Sequence, residues 1–184
     1  MQHLSDSTVS ALKSGAYVSV SISVVTTLSQ SFTITNADII SGSFSINRNS
    51  ISGSVLEIGN ADTAELKFKI DNTSGKFDGY KFEGAELTPI LTVGTQTIRT
   101  GVFIVDNKPA KRNEFAIVAL DKMAKFNKKY VSDLGKTATL QSIIAEACEK
   151  CNMGYYFSHT ITGMDYVALV PHDEKTTYHE VISW

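Results

Sequence analysis

From residue 17 to residue 120 the chain repeatedly alternates apolar and polar side chains with a period of two. Val18, Val20, Ile22 and Val24 are interleaved with Ser19, Ser21 and Ser23, and Phe32 and Ile34 with Ser31, Thr33 and Thr35. Successive side chains of an extended strand point to opposite faces, so this pattern predicts strands with one buried and one wet face. Leu28-Ser29-Gln30 between the two runs predicts a hairpin. Phe44 and Ile46 continue the pattern, Val55-Leu56-Glu57-Ile58 adds a further strand, and Leu66, Phe68 and Ile70 alternate with Glu65, Lys67 and Lys69. Residues 87–93 and 97–98 flank Gly94-Thr95-Gln96, a second hairpin. Residues 102–105 and 114–120 flank the basic turn 107–113. Many short strands separated by turn signals predict a mainly β, antiparallel barrel or sandwich.

Helices are few. Residues 8–14, closed by Gly15, predict a short helix with Val9 and Leu12 facing inward. Leu140, Ile143, Ile144, Ala147, Cys148 and Cys151 share one face of a helix that Thr137 or Thr139 opens and Gly154 stops. Residues 155–157 and 166–170 read as strands. Thr177 and Glu180 match a capping box, followed by Val181, Ile182 and Trp184. The sequence stops there, and isolated helices below about 12–15 residues are marginal. The expectation is a fraying last helix, in an N-terminal piece of a longer protein.

Composition excludes several classes. The 184 residues are 42% hydrophobic and 20% charged, which suits a folded domain rather than a disordered chain. A net charge of −2 is wrong for a strongly basic nucleic-acid binder. Two cysteines make no disulfide framework. The N-terminus has no signal-peptide pattern. The most apolar stretch, 17–28, is diluted by serine and threonine and is too short to span a membrane, so no membrane partner is predicted. Between residues 17 and 59 the only charges are Asp38, Arg48 and Glu57.

Candidate chemistry is sparse. Cys148-Glu149-Lys150-Cys151 lies at the C-terminal end of its predicted helix, where the dipole raises rather than lowers a thiol pKa. Its spacing to His159 and His172 matches no standard zinc site, so buried structural cysteines are predicted, with no metal. Residues 71–78 resemble a calcium loop only loosely, and a turn is predicted. The glycosylation sequon Asn72-Thr73-Ser74 carries no weight outside a secretory context. His3, His159, His172 and His179 are scattered, and no nucleophile, phosphate or dinucleotide motif is present. The prediction is therefore no enzyme and no cofactor. Lys108, Lys111 and Arg112, and the run Lys122, Lys125, Lys128 and Lys129, are read as a solvated face or a subunit contact rather than a nucleic-acid site.

An ordered set of segments carries a resemblance. These are 38–46, 50–61, Ala64-Glu65-Leu66-Lys67-Phe68-Lys69-Ile70-Asp71-Asn72, Gly75-Lys76-Phe77, Phe82-Glu83-Gly84-Ala85, Gly101-Val102-Phe103-Ile104-Val105-Asp106 and 119–126. Together they resemble the N-terminal part of bacteriophage and prophage tail proteins of the baseplate-hub or tail-associated class. The resemblance implies a β-barrel or split-barrel hub domain over 1–120, followed by the start of a small α/β module over 121–184. It implies a structural subunit that associates with other tail and baseplate proteins and forms a ring, a trimer in the full-length protein. Such a subunit is located in the virion tail and assembled in the bacterial host cytoplasm. Lys108, Lys111 and Arg112 are then the candidate subunit contact. The alternative is a carbohydrate- or receptor-binding β-module, which predicts clustered exposed aromatics; the seven tyrosines are instead spread along the chain.

Overall fold

The computed structural model describes residues 4–48, 51–52, 55–56, 63–107, 109, 113–155, 162–173 and 175–182. In chain order the elements are α1 (Asp6–Lys13), β1 (Val18–Val25), β2 (Ser31–Thr35), β3 (Ser45–Asn47), β4 (Ile51–Ser52), β5 (Val55–Leu56), β6 (Glu65–Asp71) and β7 (Glu86–Val93). They continue as β8 (Gln96–Arg99), β9 (Phe103–Val105), β10 (Glu114–Asp121), a 3-10 turn (Lys122–Phe126), β11 (Thr137–Thr139), α2 (Leu140–Lys150), β12 (Val167–Leu169) and α3 (Tyr178–Ile182). The chain forms two compact units. One is Met1–Asn47 with Ala64–Asp121, and the other is Arg48–Thr63 with Lys122–Trp184.

The first unit is built on one eight-stranded sheet. Its path is β2-β1-β7-β9-β10-β6-β3, with β8 also on β7. Every pairing is antiparallel. The fold is thus mainly β and antiparallel, with a small helical part. The sheet is not closed into a barrel, because its path ends at β2 and at β3 among the described residues. The expected alternation holds best in β6, where Leu66, Phe68 and Ile70 are buried and Lys67 and Lys69 stand outside. Lys67 pairs with Glu65 at 2.7 Å and Lys69 with Glu114 at 2.6 Å. Exposed pairs of this kind contribute little, so the apolar face sets the register.

β7 changes partner along one edge. Glu86 and Leu87 pair with β9, while Ile90 to Val93 pair with β8. Pro89 falls between these partners, where that edge of the ladder asks for no N–H. Its carbonyl accepts from the Thr100 N–H at 3.3 Å and the Thr100 hydroxyl at 3.0 Å.

Beneath the sheet lies an aromatic cluster. Phe82 makes edge contacts with Phe32 at 5.7 Å, Phe77 at 6.3 Å and Phe115 at 5.9 Å between ring centroids. Tyr80 stacks on Phe32 at 4.0 Å. The turn that follows β6 brings Phe77 here. Asn72, itself buried, accepts from the Phe77 N–H at 2.8 Å and donates to Asp78 at 2.7 Å. Gly75 within that turn adopts φ +73°, which a Cβ disfavours.

α1 differs from expectation. Val9 is half-buried, Leu12 is 38% exposed, and the buried side chain of the helix is Thr8. A polar anchor rather than an apolar stripe sets its orientation: the Thr8 and Ser5 hydroxyls both donate to the Gln96 side-chain carbonyl.

In the second unit, α2 buries Ile143, Ala147, Cys148 and Cys151 with Phe126, Tyr130, Val170, Tyr178 and Val181. Thr139 is the N-cap, accepting from the Ser142 N–H at 3.2 Å. The helix stops at Asn152 (φ +51°), ahead of the expected Gly154. The Met153 N–H donates to Cys148 O at 2.8 Å and the Asn152 N–H to Glu149 O at 2.9 Å. That is a Schellman motif, and asparagine tolerates its left-handed position. The capping box of α3 is formed in both directions, Thr177 N–H to Glu180 at 2.7 Å and Glu180 N–H to the Thr177 hydroxyl at 3.2 Å. Where fraying is expected, Tyr178 and Val181 are buried, and Tyr178 meets Tyr130 edge-on at 5.0 Å. Of the strand expected over 155–157, residues 156 and 157 lie outside the described residues and Tyr155 is in no strand; Trp184 also lies outside them.

Candidate functional site

The outer edge of β2 is the feature of the first unit with the plainest capacity for an intermolecular contact. The Thr26 N–H donates to Gln30 O at 2.9 Å and closes the β1–β2 hairpin. Ladder alternation then turns the backbone groups of Phe32 and Ile34 toward β1 and those of Ser31 and Thr33 outward. At the far end Thr35 is already engaged: its N–H donates to Asp38 Oδ2 at 2.8 Å and its carbonyl accepts from the Asp38 N–H at 3.0 Å. Ser31, Thr33 and Thr35 are exposed. At the hairpin, Leu28 is 67% exposed and Val25 is exposed as well. Residues 17–37 contain no charge and no proline. The usual devices that blunt an edge strand, lysine, proline or an inward charge, are therefore missing from β1 and β2.

Asp38 is the first charge after this stretch. Burial pushes its carboxyl up. Hydrogen bonds from the Lys76 ammonium and from the Thr35 N–H and hydroxyl outweigh that, and its pKa lies below the ordinary carboxylate value. Lys76 reaches it at 2.6 Å.

Lys108, Lys111 and Arg112 lie outside the described residues, so the structure neither groups nor separates them. The ends of their loop are described. Asn107 accepts from the Val118 N–H at 2.9 Å and donates to Ala116 O at 2.7 Å, imitating a strand partner on β10. At the other end, Asn113 O accepts from the Asn72 N–H at 2.7 Å. The loop therefore leaves from two fixed points.

Cys148 and Cys151 are free and buried. Burial raises the pKa of both thiols. Such thiols are poor nucleophiles, and we expect a thiol reagent to label them at least about tenfold more slowly in the folded chain than in denaturant. Mass-spectrometric counting of labelled cysteines checks this. His3 and His159 lie outside the described residues, and among those described no three His, Cys, Asp or Glu side chains are grouped to hold a metal ion. The sequon asparagine, Asn72, is buried with its amide nitrogen and oxygen both hydrogen-bonded in the turn. Among the described residues no helix is long and apolar enough to cross a membrane.

Sequence reasoning missed one ionisable group. Glu146, on the buried side of α2, accepts from the Tyr130 hydroxyl (2.7 Å), the Ser132 hydroxyl (2.7 Å) and the Asp133 N–H (2.6 Å). Burial raises its pKa, but these three hydrogen bonds more than offset that, and it lies below the ordinary value. Tyr130 is pushed up to about 12, first by burial, with further contributions from the Glu146 carboxylate. With both carboxylate oxygens accepting, the cluster holds the 130–134 segment against α2.

No family model and no curated protein matches the chain. Solved structures do. The 43 kDa tail protein of prophage MuSo2 from Shewanella oneidensis superposes with a TM-score of 0.53 at 11% identity, over 91% of this chain and 49% of that one. A chain of the virion of a native gene transfer agent particle gives a TM-score of 0.44 at 10% identity, over 73% of this chain and 57% of that one. The chain spans about half the length of each. The first likeness establishes a shared fold.

Proposed function

We propose that this chain is a structural component of a phage or prophage tail, a subunit of the ring at the baseplate hub or tail tip. It acts by assembly and not by catalysis. The observation that carries this reading is the open edge of β2, uncharged over Ser31–Thr33 and closed at Thr35 by the Asp38 carboxylate, in a fold similar to that of a prophage tail protein. An unprotected edge is a hazard in a monomer and an asset in a closed assembly, where a neighbouring chain satisfies its N–H and C=O groups. The partners are other tail and baseplate proteins and further copies of the same chain, as a trimer in the full-length protein. The place of action is the virion, after assembly in the bacterial cytoplasm. Lys108, Lys111 and Arg112 form a second contact, on the loop that Asn107 and Asn113 hold at its ends.

Thr33→Lys, introduced in the tail-encoding genome, tests the edge. A lysine on an exposed edge residue changes fold stability by no more than about 0.5 kcal/mol. We expect intact tails counted by electron microscopy to fall at least about tenfold while the isolated chain melts as before. Normal tails would remove the edge from the assembly. The double reversal Lys111→Glu with Arg112→Glu probes the loop in the same way.

A further inference from the structure

We propose that α1 is a releasable arm whose docking on the first unit is gated by the Gln96 side chain. Three donors of the arm converge on the single oxygen Oε1 of Gln96: the Ser5 N–H at 3.1 Å, the Ser5 hydroxyl at 3.0 Å and the Thr8 hydroxyl. Thr8 is the buried side chain of the helix. No side chain of α1 belongs to the buried apolar core of the unit. Among the described residues, leaving the sheet costs the arm these three hydrogen bonds and no burial in the apolar core.

The helix is also complete in itself. Ser5 caps its first turn by accepting from the Thr8 N–H at 3.2 Å. At its end the Ala16 N–H donates to Ala11 O at 2.9 Å and the Gly15 N–H to Leu12 O at 3.1 Å, a Schellman stop. Gly15 has φ +78°, and a Cβ there meets nothing within 4 Å, so the pivot is unobstructed. Val9 and Leu12 are only partly covered in the docked state. An eight-residue helix is marginal without a partner. Released, the arm melts, and the Gln96 carbonyl decides between the attached and free states. The segment with the fewest buried apolar contacts is where a protein opens first.

Hydrogen exchange on the full chain, read by mass spectrometry, tests this with two variants. Gln96→Ala removes the acceptor, and Gln96→Glu keeps acceptor oxygens at the same reach. In the native chain, amides of residues 9–14 should exchange at least about tenfold faster than those of β1, β6 and β10. In Gln96→Ala their protection should vanish while the three strands keep theirs, and Gln96→Glu should restore it. Three results would each overturn the proposal: undiminished helix protection in Gln96→Ala, parallel loss in the strands or failure to fold, or Gln96→Glu behaving like Gln96→Ala.

Discussion

Phe77→Ala is expected to lower the unfolding free energy by about 4 kcal/mol, within the usual range of about 3–5 kcal/mol for emptying a buried phenylalanine site. The Phe77 ring is 1% exposed and meets Phe32, Tyr80 and Phe82 at centroid distances of 5.8, 6.5 and 6.3 Å. It cannot be replaced by collapse. Its backbone is held from both sides, the Phe77 N–H by Asn72 and the Phe77 carbonyl by the Tyr80 N–H at 3.1 Å. The cavity therefore stays open and the full cost appears. Urea denaturation monitored by far-UV circular dichroism reads the effect, and Leu12→Ala on the exposed side of α1 provides the control, with a loss below about 1 kcal/mol. A loss under about 1 kcal/mol for Phe77→Ala would mean that the aromatic cluster does not organise this unit.

Glu146→Ala is expected to destabilise the second unit by about 3 kcal/mol, because it strands three donors that now share one carboxylate. Glu146→Gln keeps acceptor capacity on one oxygen only and should lose about half as much. The pH dependence follows from the direction of the shift. The folded pKa lies below the unfolded value near 4.5, so the stabilisation is fully present above about pH 5. It is lost as pH falls through the folded pKa. Acid titration of the native chain should therefore show a stability loss below pH 4.5 that is smaller in Glu146→Gln. Equal acid sensitivity of the two proteins would contradict the network.

The strands were legible because alternation is a local property. Leu66, Phe68 and Ile70 against Lys67 and Lys69 needs no knowledge of what lies across the sheet. The helix face of Ile143, Ala147, Cys148 and Cys151 was legible for the same reason, as was the capping box of α3. What was not legible depends on neighbours remote in sequence. Gln96 reads as a turn residue until α1 is seen beside it. Glu146 reads as a solvated helix residue until the 130–134 segment folds over it. The open ends of the sheet were equally hidden, since a strand list carries no neighbour order. The uncharged stretch around β1 and β2 was visible as composition, and only the sheet path places it at an edge.

The sheet order also sets a timetable. β1 and β2 are joined by a short turn, and a hairpin of that kind forms in about 1–10 μs. Yet the other neighbour of β1 is β7, with Val18 opposite Val93 and Val25 opposite Glu86. Distant pairings of this sort put folding of a β domain in the millisecond-to-second range, in the ordinary trend of rate with contact order. On a ribosome adding about 5–20 residues per second, the hairpin is complete seconds before β7 exists. For that interval a charge-free ribbon carries two open edges rather than one. Its serines and threonines keep it hydrated but offer no repulsion against a second nascent copy. The protein thus meets its greatest risk of premature pairing during synthesis, on the same edge that the proposed assembly would use.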